Sequence, residues 1–458
     1  MYRFKQIILI IGDLSALLIG LFLAVLIRRQ QLFATETVEL ITPMVQLFLL
    51  GVVIIFILGL YDVTRAQNNW RFYQKIIVAA IVWIVAGVIY FYINPHSSAS
   101  PKTILLLTAG CGFGIIAVWR YYHNRFLSTI ILKTKVAFAG VTPETIHLIK
   151  KITNEPQRGY EIIGIIINEN DVIPTELNNI PKATTLFELE QTTGQTIQLI
   201  IIAPHLTADQ NLLKELYSGL FKQLTIRNLA KFYEEIFQRI PPFTFSEGWF
   251  LANFNEQEKM IYDRFRILAD YAAGVIIGIF FIITWPIIAL SIKINSRGPI
   301  FFQQKRIGRG GQKFNLYKYR TMKALAQNGS AETAGPQFTT KGDRRITVVG
   351  NFLRKTRLDE IPQFINVLKG QMTIIGPRPE RPEFVSQLIE VMPFYSLRHL
   401  IKPGITGWAQ LHSDYYGTLN ENLRKLEYDL YYIKNRGPWL DLSIVLRTIN
   451  IMFRMRGR

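Results

Sequence analysis

Two carboxylates stand side by side in a run of cations, Arg354-Lys355-Thr356-Arg357-Leu358-Asp359-Glu360-Ile361-Pro362-Gln363. Shortly after comes Gly376-Pro377-Arg378-Pro379, which holds a further Arg between prolines. Nearby positive charge favours the charged form of a carboxylate, so the pair is expected to stay ionised. An ionised carboxylate serves as a nucleophile or a metal ligand. Arg and Lys suit phosphate oxygens, which Arg grips in bidentate fashion. Together these residue types point to attack on, or transfer of, a phosphoryl group. A salt-bridge network on the surface of a helix is the structural alternative for the same residues.

The rest of the chain bears on that choice. Its 458 residues leave room for two or three domains. Mean hydropathy is +0.19, high for a soluble protein, yet the formal net charge is +19. That pairing fits a membrane protein beside anionic lipid that handles anionic substrates. Nucleic acid is the usual partner of a basic chain, and the apolar segments argue against it here. Cys111, the single cysteine, lies in an apolar run, which leaves no disulfide framework and no thiolate metal site. The six histidines show no metal-ligand spacing.

Those groups need elements to position them. Four apolar runs, about Ile7–Ile27, Thr42–Leu60, Ile76–Ile93 and Ile104–Trp119, approach the roughly 20 residues that cross a bilayer core. Cations set their orientation. Arg3 and Lys5 precede the first run, Arg65, Arg71 and Lys75 separate the second and third, and Arg120, Arg125, Lys133 and Lys135 follow the fourth. Arg28 and Arg29 are a counter-signal, partly offset by Glu36 and Glu39. The N-terminus and the chain beyond Lys133 are therefore expected in the cytoplasm. Residues 1–130 read as a four-helix transmembrane domain.

Residues 131–250 change character. Val136–Gly140, Ile162–Ile167 and Leu199–Ala203 read as buried strands, with helices over Thr142–Ile152 and near Asp209–Phe221. The expected fold is a parallel α/β domain, Rossmann-like but degenerate. A dinucleotide site wants G-x-G-x-x-G after the first strand. Here the turn is Gly140-Val-Thr-Pro-Glu-Thr, with one glycine and a proline, so a structural or regulatory role is the expectation.

Within residues 251–458, Tyr271–Ile294 is long enough to cross a membrane. The block from Arg297 to Lys323 carries eight cations and no acid, a strong cytoplasmic signal. Arg264 and Arg266 give the same signal before the run. A re-entrant hairpin, broken at Pro286, reconciles length with charge.

The ordered blocks of this last region carry a resemblance. They include Arg266–Asp270, Ser296-Arg-Gly-Pro-Ile-Phe-Phe-Gln-Gln-Lys-Arg-Ile-Gly-Arg, Tyr317-Lys-Tyr-Arg-Thr-Met, Gly342-Asp-Arg-Arg-Ile-Thr and Leu353–Val367. Ile375-Gly-Pro-Arg-Pro-Glu-Arg-Pro-Glu, Lys402-Pro-Gly-Ile-Thr-Gly-Trp-Ala-Gln and Tyr428-Asp-Leu-Tyr-Tyr-Ile complete the set. The chain resembles the bacterial sugar transferase family, in its long form with N-terminal spans and an α/β domain. The resemblance implies a mainly helical catalytic domain. It also implies transfer of a sugar-1-phosphate from a UDP-sugar to undecaprenyl phosphate, releasing UMP, with Mg²⁺ as cofactor. Such a step initiates exopolysaccharide, capsule or O-antigen synthesis at the cytoplasmic face of the bacterial inner membrane. Carried over, Asp359 is the nucleophile that forms a covalent phospho-sugar intermediate and a ligand of Mg²⁺, and Glu360 is its acid/base or metal-supporting neighbour. Arg378, with Lys318, Arg320, Arg354 and Arg381, is expected to bind substrate phosphate. Pro286 is expected to break the re-entrant helix.

One departure is that the family often has a Lys-Arg pair ahead of the Asp that starts the hairpin, whereas the segment here is Arg264-Phe-Arg266-Ile-Leu-Ala-Asp270, with one basic position apolar. Asp343, Arg344 and Arg345 fit either diphosphate contact or a loop ion-pair cluster. Glu380 and Glu383 fit either metal or uridine contact, or a solvated face. Leu440–Arg458 fits an amphipathic surface helix or a core-packing one. A membrane scaffold with a dead transferase domain is the rival function, against which the intact Asp359-Glu360 pair argues. Self-association and the identity of the sugar are left open.

Overall fold

The computed structural model describes residues 2–29, 35–61, 70–93, 102–125, 133–168, 174–206, 209–220, 224–242, 247–254, 259–325, 331, 343–392, 394–412 and 418–453. The expectations placed on Arg65, on Gly342 and on the end of Leu440–Arg458 beyond residue 453 lie outside the described residues. The chain divides into two compact units, Met1–Phe232 and Tyr233–Arg458.

The first unit opens with helices α1 (Tyr2–Arg29), α2 (Thr35–Ile57), α3 (Trp70–Ile93) and α4 (Lys102–Tyr122). Each is long and apolar enough to cross a membrane. Their core includes Leu17, Phe48, Trp83 and Phe113. α1 and α4 touch through small residues, for a Cβ built on Gly20 would lie 2.6 Å from the Gly112 Cα. Small residues let helix backbones approach where lipid gives no hydrophobic drive. Arg120 donates Nε to Asp13 Oδ1 (3.1 Å), Nη2 to Asp13 Oδ2 (2.5 Å) and Nη1 to the Leu60 carbonyl (2.8 Å), all buried.

The α/β part of this unit follows the expected alternation. β1 (Thr134–Ala139), α5 (Pro143–Asn154), β2 (Tyr160–Ile166), β3 (Lys182–Ala183), α6 (Leu186–Thr193), β4 (Leu199–Ile202), α7 (Gln210–Leu220) and β5 (Thr225–Asn228) succeed one another. The strands form a parallel sheet in the order β3-β2-β1-β4-β5. β4 is buried throughout, which is why it reads as an unbroken apolar run. Helix α8 (Leu229–Phe237) runs across the division between the units.

The second unit begins with α9 (Glu247–Asn253) and α10 (Met260–Asn295), then the antiparallel pair β6 (Phe301–Ile307) and β7 (Lys313–Tyr319). Next come α11 (Val348–Thr356), α12 (Phe364–Leu368), β8 (Thr373–Ile375), α13 (Pro382–Val391), β9 (Gly404–Thr406), α14 (Trp408–His412), α15 (Leu419–Asn435) and α16 (Pro438–Phe453). β8 and β9 pair in parallel. α16 buries Ile444 in a core with Trp408 and Tyr432 while Trp439 stays exposed, so its described part packs and also presents an apolar edge.

α10 is the fifth helix of membrane-spanning length. The expected two pieces broken at Pro286 are corrected, since helical structure runs from Met260 to Asn295 with Pro286 inside it. Proline removes one main-chain bond, but its fixed φ is helical and the neighbouring turns keep their own bonds. One face of α10 packs on its own unit along its length. Arg436 bonds Asp263 (2.9 Å), and Asp270 accepts from the Thr373 hydroxyl (2.6 Å) and the Ile374 N–H (2.9 Å). A Cβ on Gly274 or Gly278 would meet Leu368 or Phe364 at 3.0 Å. Nearer its end, Ile288 and Ile292 join Tyr319 and Leu353. The opposite face exposes Ile276, Ile279, Ile283, Ile287 and Leu290.

Candidate active site

α11 is capped by the Thr347 hydroxyl, which accepts from the Gly350 N–H (2.9 Å), and it ends at Arg357 in a left-handed conformation (φ +60). That turn starts a 3₁₀ segment, Leu358–Gln363, which carries the two carboxylates into α12. α12 itself begins only at Phe364. The acids sit in the turn before it, anchored by side-chain cations. Asp359 and Glu360 are 7% and 6% exposed.

The two acids have different surroundings. Glu360 Oε1 accepts from Lys318 Nζ (2.8 Å) and from Arg378 Nη2 (3.0 Å), and Arg357 Nη1 lies 3.5 Å from Oε2. Asp359 is 3.9 Å from Lys318 Nζ. Burial acts on both to favour the neutral acid. For Glu360, Lys318, Arg378 and Arg357 outweigh it and hold the carboxyl well below its usual range. For Asp359, burial and the charge of Glu360 prevail over Lys318, Arg354 and Arg357, and its pKa is pushed up to about 6. Both values lie below neutral pH, in keeping with an ionised pair, but Glu360 takes most of the cations' effect. Adjacent carboxylates with separated acidities suit divided roles.

Of the residues expected at phosphate, Lys318 and Arg378 join the acids and Arg354 acts on Asp359 electrostatically. Arg320 is placed elsewhere. It is 2% exposed, and its guanidinium donates to the carbonyls of Ser296 (2.7 Å) and Arg297 at the end of α10. Gly298, at φ +120, leaves room for it. Arg320 lies just past the end of β7, so it ties down a helix end instead of facing the acids. Arg381 is engaged on the first turn of α13, 3.4 Å from Glu383 and over the Phe384 ring.

Asp343 and Arg345 form a local bidentate pair, which is the loop-cluster alternative. Glu380 is buried against Lys425 and lies 3.6 Å from Arg306. Burial raises its pKa, but Lys425, Arg398 and Arg306 pull it down to about 2. Glu383 is solvated. Sequence reasoning did not single out Arg357, Arg306 or Arg398. Arg357 had a signal, its place three residues before Glu360; the other two had none.

Among the described residues no three His, Cys, Asp or Glu side chains converge as a metal cage. The carboxylates that would hold Mg²⁺ are Asp359, 3.9 Å from Lys318 Nζ, and beside it Glu360, whose Oε1 already accepts from Lys318 and Arg378.

The bacterial sugar transferase family model matches residues 261–455, and a model described as a CoA-binding domain matches 56–217. The turn after β1 in that region does not make a diphosphate cradle. Pro143 has no N–H, the Thr145 N–H is taken by the Thr142 hydroxyl (3.2 Å), and a Cβ on Gly140 would lie 2.8 Å from the His205 ring.

Among curated relatives, UDP-N-acetylgalactosamine-undecaprenyl-phosphate N-acetylgalactosaminephosphotransferase of Aeromonas hydrophila is 49% identical over 161 residues, 35% of this chain and 37% of that protein. UDP-glucose:undecaprenyl-phosphate glucose-1-phosphate transferase of Klebsiella pneumoniae is 33% identical over 328 residues, 69% of this chain and 67% of that protein. The protein of the same name from Escherichia coli K12 is 44% identical over 164 residues, 35% and 34% of the two chains. The match thus spans about a third of two of these relatives and two thirds of the third. On the length of the Klebsiella alignment and the ordered motifs around Asp359, the chain belongs to the bacterial sugar transferase family.

Proposed function

We propose that this protein transfers a sugar-1-phosphate from a UDP-sugar to undecaprenyl phosphate and releases UMP, the first membrane step of a bacterial polysaccharide. The observation that carries the reading is the unequal pair of acids, with Glu360 bound into cations and Asp359 left as the more basic oxygen nucleophile. An Asp359 carboxylate oxygen attacks the sugar-bearing phosphorus of the donor. The bond from that phosphorus to the bridging oxygen breaks, and UMP leaves with the electron pair. An undecaprenyl phosphate oxygen then attacks the same phosphorus, forms the lipid diphosphate-sugar and frees Asp359. Donor and acceptor thus use one site in turn. Arg378, 32% exposed, offers the open part of its guanidinium to phosphate, with Lys318 and Arg354 near the developing charge. Mg²⁺, held by Asp359 and Glu360, supplies neutralisation of the donor diphosphate when bound. A radiolabelled sugar-phosphate should stay on the wild-type protein before acceptor is added and be absent from Asp359→Asn. Equal labelling of both would remove Asp359 as nucleophile.

The same reading places four spans at the N-terminus and α10 as re-entrant through a bend at Pro286 within its continuous helix, with the catalytic unit on the cytoplasmic face of the inner membrane. Support comes from the packing of both ends of α10 on one unit, from Asp263 to Ile292, together with the basic block after it. In a Cys111→Ala background, Arg264→Cys and Lys305→Cys should both resist an impermeant thiol reagent in intact cells and react after lysis. Reaction of the Lys305→Cys protein alone in intact cells would mean that α10 crosses.

A further inference from the structure

Four consecutive carbonyls, Pro377 to Glu380, are each held by a different donor. The Gly404 N–H bonds Pro377 (2.9 Å) and Arg398 Nη2 bonds Arg378 (2.8 Å). Arg306 Nη1 bonds Pro379 (3.1 Å) and the Ile307 N–H bonds Glu380 (2.9 Å). Pro377 and Pro379 have no N–H, so this stretch cannot be held by a ladder of its own donors. Its carbonyls do the holding, and two of the four donors are side chains from elsewhere in the chain. Arg398 is 3% exposed and also donates to Asp429 Oδ2 (2.9 Å) and the Tyr395 hydroxyl (2.7 Å). Arg306 is anchored by Glu380. The Arg378 side chain, by contrast, is a long stem with a partly open head. Such a head is only as well placed as its main chain, and a displacement of about 1 Å in a reacting constellation can cost about a hundredfold in rate.

We propose that Arg398, supported by Arg306, is a positioning residue of the transfer reaction. It fixes the main chain of Arg378 so that one guanidinium serves Glu360 and the substrate phosphate together. This rests on the reading of the protein as a sugar-phosphate transferase.

The test uses full-length protein in lipid nanodiscs. Arg398→Lys keeps the charge beside Asp429, but an ammonium lacks the planar fork that reaches three acceptors. Hydrogen exchange of the peptide 374–384 should quicken about fivefold or more while the melting temperature stays put, since local opening is separable from global unfolding. UMP release should fall about tenfold in Arg398→Lys, and the change should add nothing further in an Arg378→Gln background, as expected for two groups acting as a unit. If Arg398→Lys does not fold, Arg306→Lys is judged by the same two measures. Unchanged exchange, or losses that multiply in the double variant, would overturn the proposal. Quickened exchange in a protein whose wild type releases no UMP would overturn the transferase reading and leave the positioning role standing.

Discussion

Two of the buried meetings of acid and base in this molecule are built in opposite ways. In the N-terminal bundle, Asp13 meets Arg120, with 0% and 1% of the side chains exposed. All three guanidinium nitrogens are spent, two on Asp13 and one on the Leu60 carbonyl, and the Tyr61 ring lies 4.9 Å from the guanidinium. Around Asp359 and Glu360 the cations Lys318, Arg354, Arg357 and Arg378 outnumber the acids, and Arg378 is partly open to solvent. A closed pair has nothing left to offer a ligand and sets the packing of two helices. A surplus of one charge beside an open edge is a demand for an anion.

The comparison breaks most sharply at Asp359. Asp359→Asn removes the attacking charge, and turnover should fall about a thousandfold or more with the melting temperature unchanged. Near-normal turnover would make this cluster structural too. In the bundle the outcome should invert. Arg120→Gln leaves Asp13 buried without its partner and should cost about 3–5 kcal/mol of stability, while turnover per folded molecule holds. Adding Asp13→Leu to an Arg120→Met variant should restore most of the melting temperature, and a failure to do so would give the pair a role beyond packing.

The smallest effect is on the pH profile. Asp359 works ionised, so kcat/KM for the donor should fall about tenfold per pH unit below about pH 6, a value that belongs to the coupled pair. Folded protein holds this proton more tightly than the unfolded chain does. Raising the pH through 3.8 to about 6 therefore removes stability at this site instead of adding it. Glu360→Gln takes away the neighbouring negative charge and should shift the acid limb to lower pH. An unmoved limb would mean that the two carboxylates do not feel one another.

Much of this was legible beforehand because it depends on local pattern. Strands such as Leu199–Ile202 are apolar runs, Asp359, Glu360 and Arg378 stand out by residue type and spacing, and Lys318 came with the family resemblance. Their inequality was not legible. Whether burial or cations win at a carboxylate is decided by distances of 2.8 and 3.9 Å, which adjacent letters cannot encode. Lys318 and Arg320 look interchangeable in a basic block. The end of β7 at Tyr319 separates them and sends Arg320 to the carbonyls of Ser296 and Arg297. Arg398 comes from a stretch without a motif, and its meaning depends wholly on which carbonyl it meets. Pro286 was read as a break from the conflict between the length of the run and the cations at both its ends, while helical structure continues through it.

The seating of Gly274 and Gly278 against Leu368 and Phe364 has a practical consequence. The helix that meets the bilayer is also the floor beneath the turn that carries Asp359. A soluble edition of this unit is not to be had by deleting α10, because Phe364 and Leu368 would lose their partner and the turn with Asp359 its support.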